Sequence, residues 1–370
     1  MMERSNEENQ SLPLAGLLVL DFGQFLSAPS AALRLADLGA RVIKVERAGS
    51  GDICRRLYIS NMELDGDSTL FHAINRNKES FAADLRNPAD AEEVLALIRQ
   101  ADVLIQNFRP GVMERLGFHY EAVRAVNPAI VYGEITGYGQ DGPWAGKPGQ
   151  DLLVQSMSGL TGCREDSDLE SGSPPMPLGL AVTDMIAGAH LVQGILSCLV
   201  RRAVTGRGAH VAVSLLESAL DLQADSITAE LTASAHPRQP MQAIYSAKDG
   251  YVAAAADDAK RAAADTSAIQ AETMTSDELV TALEHAGYDC AKVLNWRQLR
   301  EEAHFQQLDM VQQVTRTGGS PMKTTCCPIR IDGGRLRSAK GSPRIGADTE
   351  AIRREMINAH TTPIEEDTAQ

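Results

Sequence analysis

Four short apolar runs alternate with helix-patterned segments between Leu17 and Glu134, and this alternation constrains the fold more than any other feature. The first run, Leu17–Phe22 (LLVLDF), ends on an acid and is followed by the loop Gly23–Pro29. A helical pattern then covers Ser30–Leu38, with Gly39 placed to close it, and a second run, Arg41–Glu46 (RVIKVE), follows at once. The cycle repeats through the helix Ala89–Arg99, the strand Val103–Gln106, the helix Tyr120–Val126 and the strand Ile130–Glu134. Strands joined across helices cannot pair as hairpins, so the expectation is an α/β fold with a Rossmann-like parallel sheet.

After a glycine-rich stretch, Gly137–Gly149, a helical segment covers about Asp151–Gly159 and a polar loop Arg164–Pro177. Two apolar-periodic segments, Thr183–Ala203 and Ser214–Thr232, flank the β-branched run His210–Val213. Strands are expected across Ile244–Val252 around the Asp249-Gly250 turn, and a helix over Asp277–Ala286. The alanine-rich tract Ala253–Ala271 scores as helix by propensity, although it has few large apolar residues to pack. The chain closes with Pro328–Asp332, Arg335–Ser338 and a charged helix from about Asp348. Composition shifts near residue 233.

Thirty-five Lys and Arg against 49 Asp and Glu give a net charge of −14, which argues against a nucleic-acid or anionic-membrane surface. The N-terminus is polar and acidic, unlike a signal peptide, and Ala187–Val200 is shorter than a membrane helix needs. The expected compartment is therefore the cytoplasm. Six scattered cysteines include no CxxC pair, and the eight histidines form no HxxxH or HExxH pair, so no metal site is expected. Adjacent Cys326 and Cys327 are expected as the inward and outward residues of a strand.

No GxGxxG or P-loop is present. Instead, clusters of amide and basic side chains recur: Arg47 after the second run, Asn75 to Lys78, and Asn107-Phe108-Arg109 directly after a strand. Together with the loop GQFLSAPS, placed where open α/β sheets bind ligands, they suggest an anionic, nucleotide-bearing ligand. Two carboxylates stand out. Asp151 opens a helix, where a capping role would be structural. Asp184 lies among apolar and small residues, where a carboxylate loses solvation and needs partners; a cap at the start of the long helix is the alternative.

The segments PLAGLLVLDFGQFLSAPSAALRLADLGARVIKVERAGSGD, NRNKESFAADL, ADVLIQNFRPGVMERLGF, NPAIVYGEITGYGQDGP and TGRGAHVAVSLLESAL resemble, in order, those of the class III CoA-transferases, the CaiB/BaiF family. Further matches lie at IYSAKDGY, VLNW and CPIRIDGGRLRSAKGSPRIG. The resemblance implies a large α/β domain from both chain ends, 12–225 with 325–370, a small and shortened middle domain, 226–324, and a homodimer of interlocked rings. It implies transfer of CoA from an acyl-CoA to a free carboxylic acid, with the CoA thioester as substrate and no cofactor.

The resemblance puts the nucleophile at Asp184, with Gln150 and Asp151 as possible support and Gly179 and Gly188 allowing the thioester to approach. It puts CoA contacts at Leu26, Ser27, Arg47, Asn75, Lys78, Asn107, Phe108, Arg109 and Arg115. Asn75 and Lys78 would line the adenine and 3′-phosphate region. Related α-methylacyl-CoA racemases carry a His where Gln150 stands, and Gln cannot exchange a proton, so transferase is preferred to racemase. A CoA-binding protein without catalysis is the third reading.

Overall fold

The computed structural model describes residues 12–161, 175–232, 242–255 and 270–361. Among these, β1 (Leu18–Asp21), β2 (Arg41–Arg47), the two-residue hairpin β3 (Glu63–Leu64) and β4 (Asp67–Ser68), β5 (Glu79–Ala83), β6 (Val103–Gln106), β7 (Val131–Thr136) and β8 (Ala209–Ser214) follow in order. Six of them form one sheet, ordered β5-β2-β1-β6-β7-β8. Every pairing in that sheet is parallel. Counted along the chain the order is third, second, first, fourth, fifth, sixth, the doubly wound arrangement. The order reverses between β1 and β6, and the loops leaving those two strands meet at that point.

Both faces of the sheet are covered. On one, Val19, Val42, Val103 and Ile135 pack with the helices Ser27–Asp37 and Val182–Thr205 through Ala28, Leu35, Leu191 and Ile195. On the other, Leu20, Ile43, Phe81, Leu104 and Tyr132 pack with helix Pro88–Gln100 and, through Ile352 and Met356, with the C-terminal helix Thr349–Thr361. The helix Val182–Thr205 has 24 residues, beyond the length expected from sequence, and is long and apolar enough to cross a membrane. A stripe of it, Ala187, Gly188, Leu191, Val192 and Ile195, is instead buried in the domain core.

Contacts divide the chain into Met1–Asp225 with Val311–Gln370, and Ser226–Met310. The second unit holds an antiparallel sheet of β9 (Gln242–Ala247), β10 (Gly250–Ala255) and β11 (Asp289–Lys292). Leu279 and Leu283 of helix Ser276–His285 cover Val252 and Ala254. The hairpin β12 (Val311–Thr315) and β13 (Pro321–Thr325) belongs to the first unit, where Arg316 donates to Asp67 at 2.6 Å. A last hairpin, β14 (Arg330–Ile331) and β15 (Gly334–Arg335), turns on Asp332 and Gly333, both at positive φ. Most of the alanine-rich tract and of the loop Arg164–Pro177 lies outside the described residues.

Cys326 and Cys327 do not alternate. Both are buried, just past β13, and Cys327 Sγ accepts from Arg34 at 2.9 Å. Where two successive side chains both go inward the chain has left the period-two strand geometry.

Candidate active site

At the sheet's reversal point the loop Gly23–Leu26 is tethered residue by residue. Gly23 donates to Asp21 Oδ1 at 2.8 Å and its carbonyl accepts from Lys44 Nζ at 2.7 Å. Asn107, after β6, accepts from the Gln24 N–H and donates to the Gln24 carbonyl, both at 2.8 Å. The N–H of Phe25 reaches Asp52 Oδ1 at 3.2 Å. Phe25 has φ +60, a left-handed conformation that costs a bulky residue about 1–3 kcal/mol and persists only where the surroundings enforce it. This strained loop delivers Ser27, 2% exposed, at the first position of its helix.

Ser27 faces Asp184 in the first turn of the helix Val182–Thr205. The two helices touch closely: a Cβ on Gly188 would lie 2.8 Å from the Ser27 carbonyl and 2.6 Å from Ser30 Oγ. Gly188, expected to make room for a thioester, thus makes room for a neighbouring helix. At Gly179, by contrast, φ is +71 and no atom lies within 4 Å of a built Cβ.

Asp151 completes the group. It sits at the first position of helix Asp151–Met157, whose N-cap is Gln150, yet its side chain serves the other helix. Its Oδ1 accepts from Thr183 Oγ1 at 2.5 Å and from the Asp184 N–H at 3.0 Å, the second being one of the orphan backbone donors of that first turn. Gln155, one turn on and buried, donates to Asp151 Oδ2 and to the Leu180 carbonyl. The capping function considered for Asp184 therefore falls to Asp151.

Asp184 is half-buried and has a like charge beside it. Burial first, and the Asp151 carboxylate second, push its pKa up to about 7 against the opposing hydrogen bond from Ser27. A carboxylate so placed is a stronger base than an ordinary one, yet is still partly ionised at neutral pH.

Phe22, Gly23, Gln24, Arg47 and Phe108 line a cleft of about 280 Å³ beyond the carboxyl ends of β1 and β2. An exposed Arg86, paired with Asp84 at 2.9 Å, shares this cleft. Arg109 lines an adjoining cleft of about 230 Å³, with Phe108 common to both. Arg115 is exposed and stands over Gly111, and Gln150 is exposed. Leu26 packs against Cys54, Phe71 and Ile74.

Asn75 and Lys78 correct the sequence reading. Both are fully buried. Lys78 Nζ donates to Asp21 at 2.7 Å and to the Pro29 carbonyl and Asn75 Oδ1 at 2.8 Å, using all three of its donors on the protein. Asn75 Nδ2 donates to the Phe71 carbonyl. Neither offers a surface to adenine or phosphate. Thr183, Gln155, Asp52 and Phe25 were not singled out from sequence, although the Asp151–Gln155 spacing of four on a helix was a usable signal.

A family model, CoA-transferase family III, matches residues 14–278 and 264–349. The chain belongs to that family. It is similar to an acetyl-CoA:oxalate CoA-transferase of Acetobacter aceti, 40% identical over 210 residues, which are 56% of this chain and 52% of the relative. A succinate–glutarate CoA-transferase of Agrobacterium fabrum is 38% identical over 213 residues, 56% of this chain and 52% of that protein. The chain thus spans about half the length of the curated relatives it matches. Among solved structures it is similar to a CaiB/BaiF family protein from Brucella suis, with a TM-score of 0.79 and 28% identity, covering 93% of this chain and 99% of that one. A hypothetical protein from Mycobacterium tuberculosis gives a TM-score of 0.76 at 27% identity, covering 92% and 99%.

Proposed function

We propose that this CoA-transferase family III protein moves CoA from an acyl-CoA to a free carboxylic acid, with Asp184 as nucleophile. The observation that carries the reading is Asp184 itself: a half-buried carboxylate with a pKa of about 7, seated at the point where the sheet order reverses.

In the proposed reaction the Asp184 carboxylate attacks the thioester carbonyl and expels CoA thiolate, leaving a mixed anhydride. The thiolate attacks the aspartyl carbonyl, releasing the donor's carboxylate and forming an aspartyl-CoA thioester. The acceptor carboxylate then attacks this thioester, giving a second anhydride and free thiolate. Attack of the thiolate on the acceptor's acyl carbon yields the new acyl-CoA and restores Asp184. Charge is conserved at each step, and no external proton donor is needed.

In this scheme Arg47 and Phe108 border the CoA cleft, and the exposed Arg109 and Arg115 attract its phosphates. The acceptor would be a small dicarboxylate, in line with the oxalate and glutarate in the names of the two relatives. Assembly as an interlocked homodimer with the two-domain layout, in the cytoplasm, completes the reading. Exposed Met185, Val200 and Val204 on the long helix, 47%, 71% and 86% exposed, suit a covered surface.

The test is intact-mass spectrometry after incubation with succinyl-CoA or acetyl-CoA and no acceptor, quenched with and without hydroxylamine. A hydroxylamine-labile adduct, absent from Asp184→Ala, is expected. CoA binding without any adduct across several acyl-CoAs would overturn the transferase reading.

A further inference from the structure

The long helix that carries Asp184 begins without a cap of its own. Its N-cap residue is Ala181, whose methyl accepts no hydrogen bond. The approach to it, Leu178-Gly179-Leu180, is exposed and turns through Gly179 at φ +71. An exposed turn leading into an uncapped helix has little of its own to fix it. What holds it comes from the helix Asp151–Met157. Asp151 Oδ1 accepts from the Asp184 N–H at 3.0 Å. Gln155, one turn further and 2% exposed, holds the approach: its Oε1 accepts from the Leu178 N–H at 3.2 Å, and its Nε2 donates to the Leu180 carbonyl at 2.8 Å. The second Nε2 proton goes to Asp151 Oδ2.

One buried amide therefore makes three contacts that have to agree. Turned over, it would set its oxygen against a carboxylate and a carbonyl, both acceptors, and its NH2 against the Leu178 N–H, a donor. A single orientation satisfies all three partners. The torsion that turns a carboxylate is broad, so donors on Oδ1 do not by themselves set the plane of Asp151. Gln155, on Oδ2, does.

We infer that Gln155 is a positioning residue for the nucleophile: it sets the plane of the Asp151 carboxylate and pins the backbone on both sides of Gly179, so that the turn bearing Asp184 is presented in one place. This rests on the reading of Asp184 as nucleophile. Gln155 lines neither of the two clefts, so it acts on the reaction through Asp151 and the backbone rather than through the ligand.

The experiment is amide hydrogen exchange on the full chain, read residue by residue by mass spectrometry with electron-transfer fragmentation. It compares wild type, Gln155→Met, Asp151→Ala and the double variant, and it needs no substrate. In Gln155→Met two amides are expected to exchange about five- to tenfold faster, the worth of one hydrogen bond. One is Leu178, which loses its acceptor; the other is Asp184, which Gln155 does not touch. Amides of β1 and β6 are expected to keep their wild-type rates. Asp151→Ala is expected to free the Asp184 amide, and the double variant to free it no further, because Gln155 reaches that amide through Asp151. In parallel, kcat of Gln155→Met is expected to fall about ten- to hundredfold while KM for the acyl-CoA stays within about twofold. Gln155→Asn, which keeps an amide but withdraws it by one methylene, repeats both measurements if Gln155→Met is poorly folded.

Wild-type exchange at Asp184 in Gln155→Met would overturn the inference. So would acceleration spread equally over β1 and β6, which would make Gln155 a contributor to global stability alone. A raised KM with unchanged kcat would overturn it too, by making Gln155 a ligand contact. Failure of the transferase reading looks different: no acyl adduct in wild type, with the exchange pattern still changing as described.

Discussion

Two groups of charge stand within the larger unit, one buried and one half-buried, and they are built on opposite rules. In the first, Lys78, Asp21, Lys44 and Asp52 alternate in sign: Lys78 pairs with Asp21 at 2.7 Å and Lys44 with Asp52 at 2.9 Å, all of them buried. In the second, Asp151 and Asp184 face each other as like charges, with hydroxyl and amide donors in place of a cation. The consequences are legible in their ionisation. Burial works against the charge on Asp21, yet Lys44 and Lys78 outweigh it and hold its pKa below the ordinary value. Burial and Asp151 together take Asp184 the other way, up to about 7. Complementary charges make a scaffold; an unneutralised carboxylate is retained where chemistry uses it.

The sharpest way to break this contrast is to remove one acid from each group. Asp184→Ala is expected to lower turnover by about a thousandfold or more while leaving the fold and CoA affinity in place, read by kcat beside equilibrium binding. Asp21→Ala is expected to do the reverse, costing about 3–5 kcal/mol of stability in urea titrations because two buried lysines lose their common partner. Equal loss of stability in both variants would erase the distinction.

A smaller effect sharpens the comparison through pH. Adduct formation is expected to rise with pH through a midpoint near 7, where Asp184 ionises, and Asp151→Asn should move that midpoint down by about one unit by removing the like charge. A midpoint unchanged in Asp151→Asn would mean that burial alone sets the value. The last effect is on stability. Because the Asp184 pKa is raised from 3.8 to about 7 on folding, the folded state loses stability as pH climbs through that window. Asp184→Asn is accordingly expected to raise Tm more at pH 8 than at pH 5, by differential scanning calorimetry; an equal rise at both would show that the carboxylate carries no strain of ionisation.

Lys78 and Asn75 show where reading the chain in one dimension fails. A polar run, Asn75-Arg76-Asn77-Lys78, has the composition of a ligand-binding loop, and nothing local says otherwise. Its lysine is buried because Asp21, 57 residues earlier, meets it inside the domain. Asp184 was legible for the opposite reason: a lone acid in an apolar, small-residue segment contradicts its surroundings within a few positions, and no distant partner is needed to notice it. That Asp151 and Ser27 act on it was not legible, since they reach it from two separate elements.

What the sequence by itself determined is the alternation of strand and helix, the parallel sheet it enforces, the family, and the acid that stands out from its neighbours. These depend on period and on immediate context, which the chain carries along its length. What the tertiary structure decided is which polar groups are scaffold and which are site, and how strongly Asp184 holds its proton. Burial and charge pairing act through space between residues far apart in the chain, so they exist only once the sheet has brought those residues together.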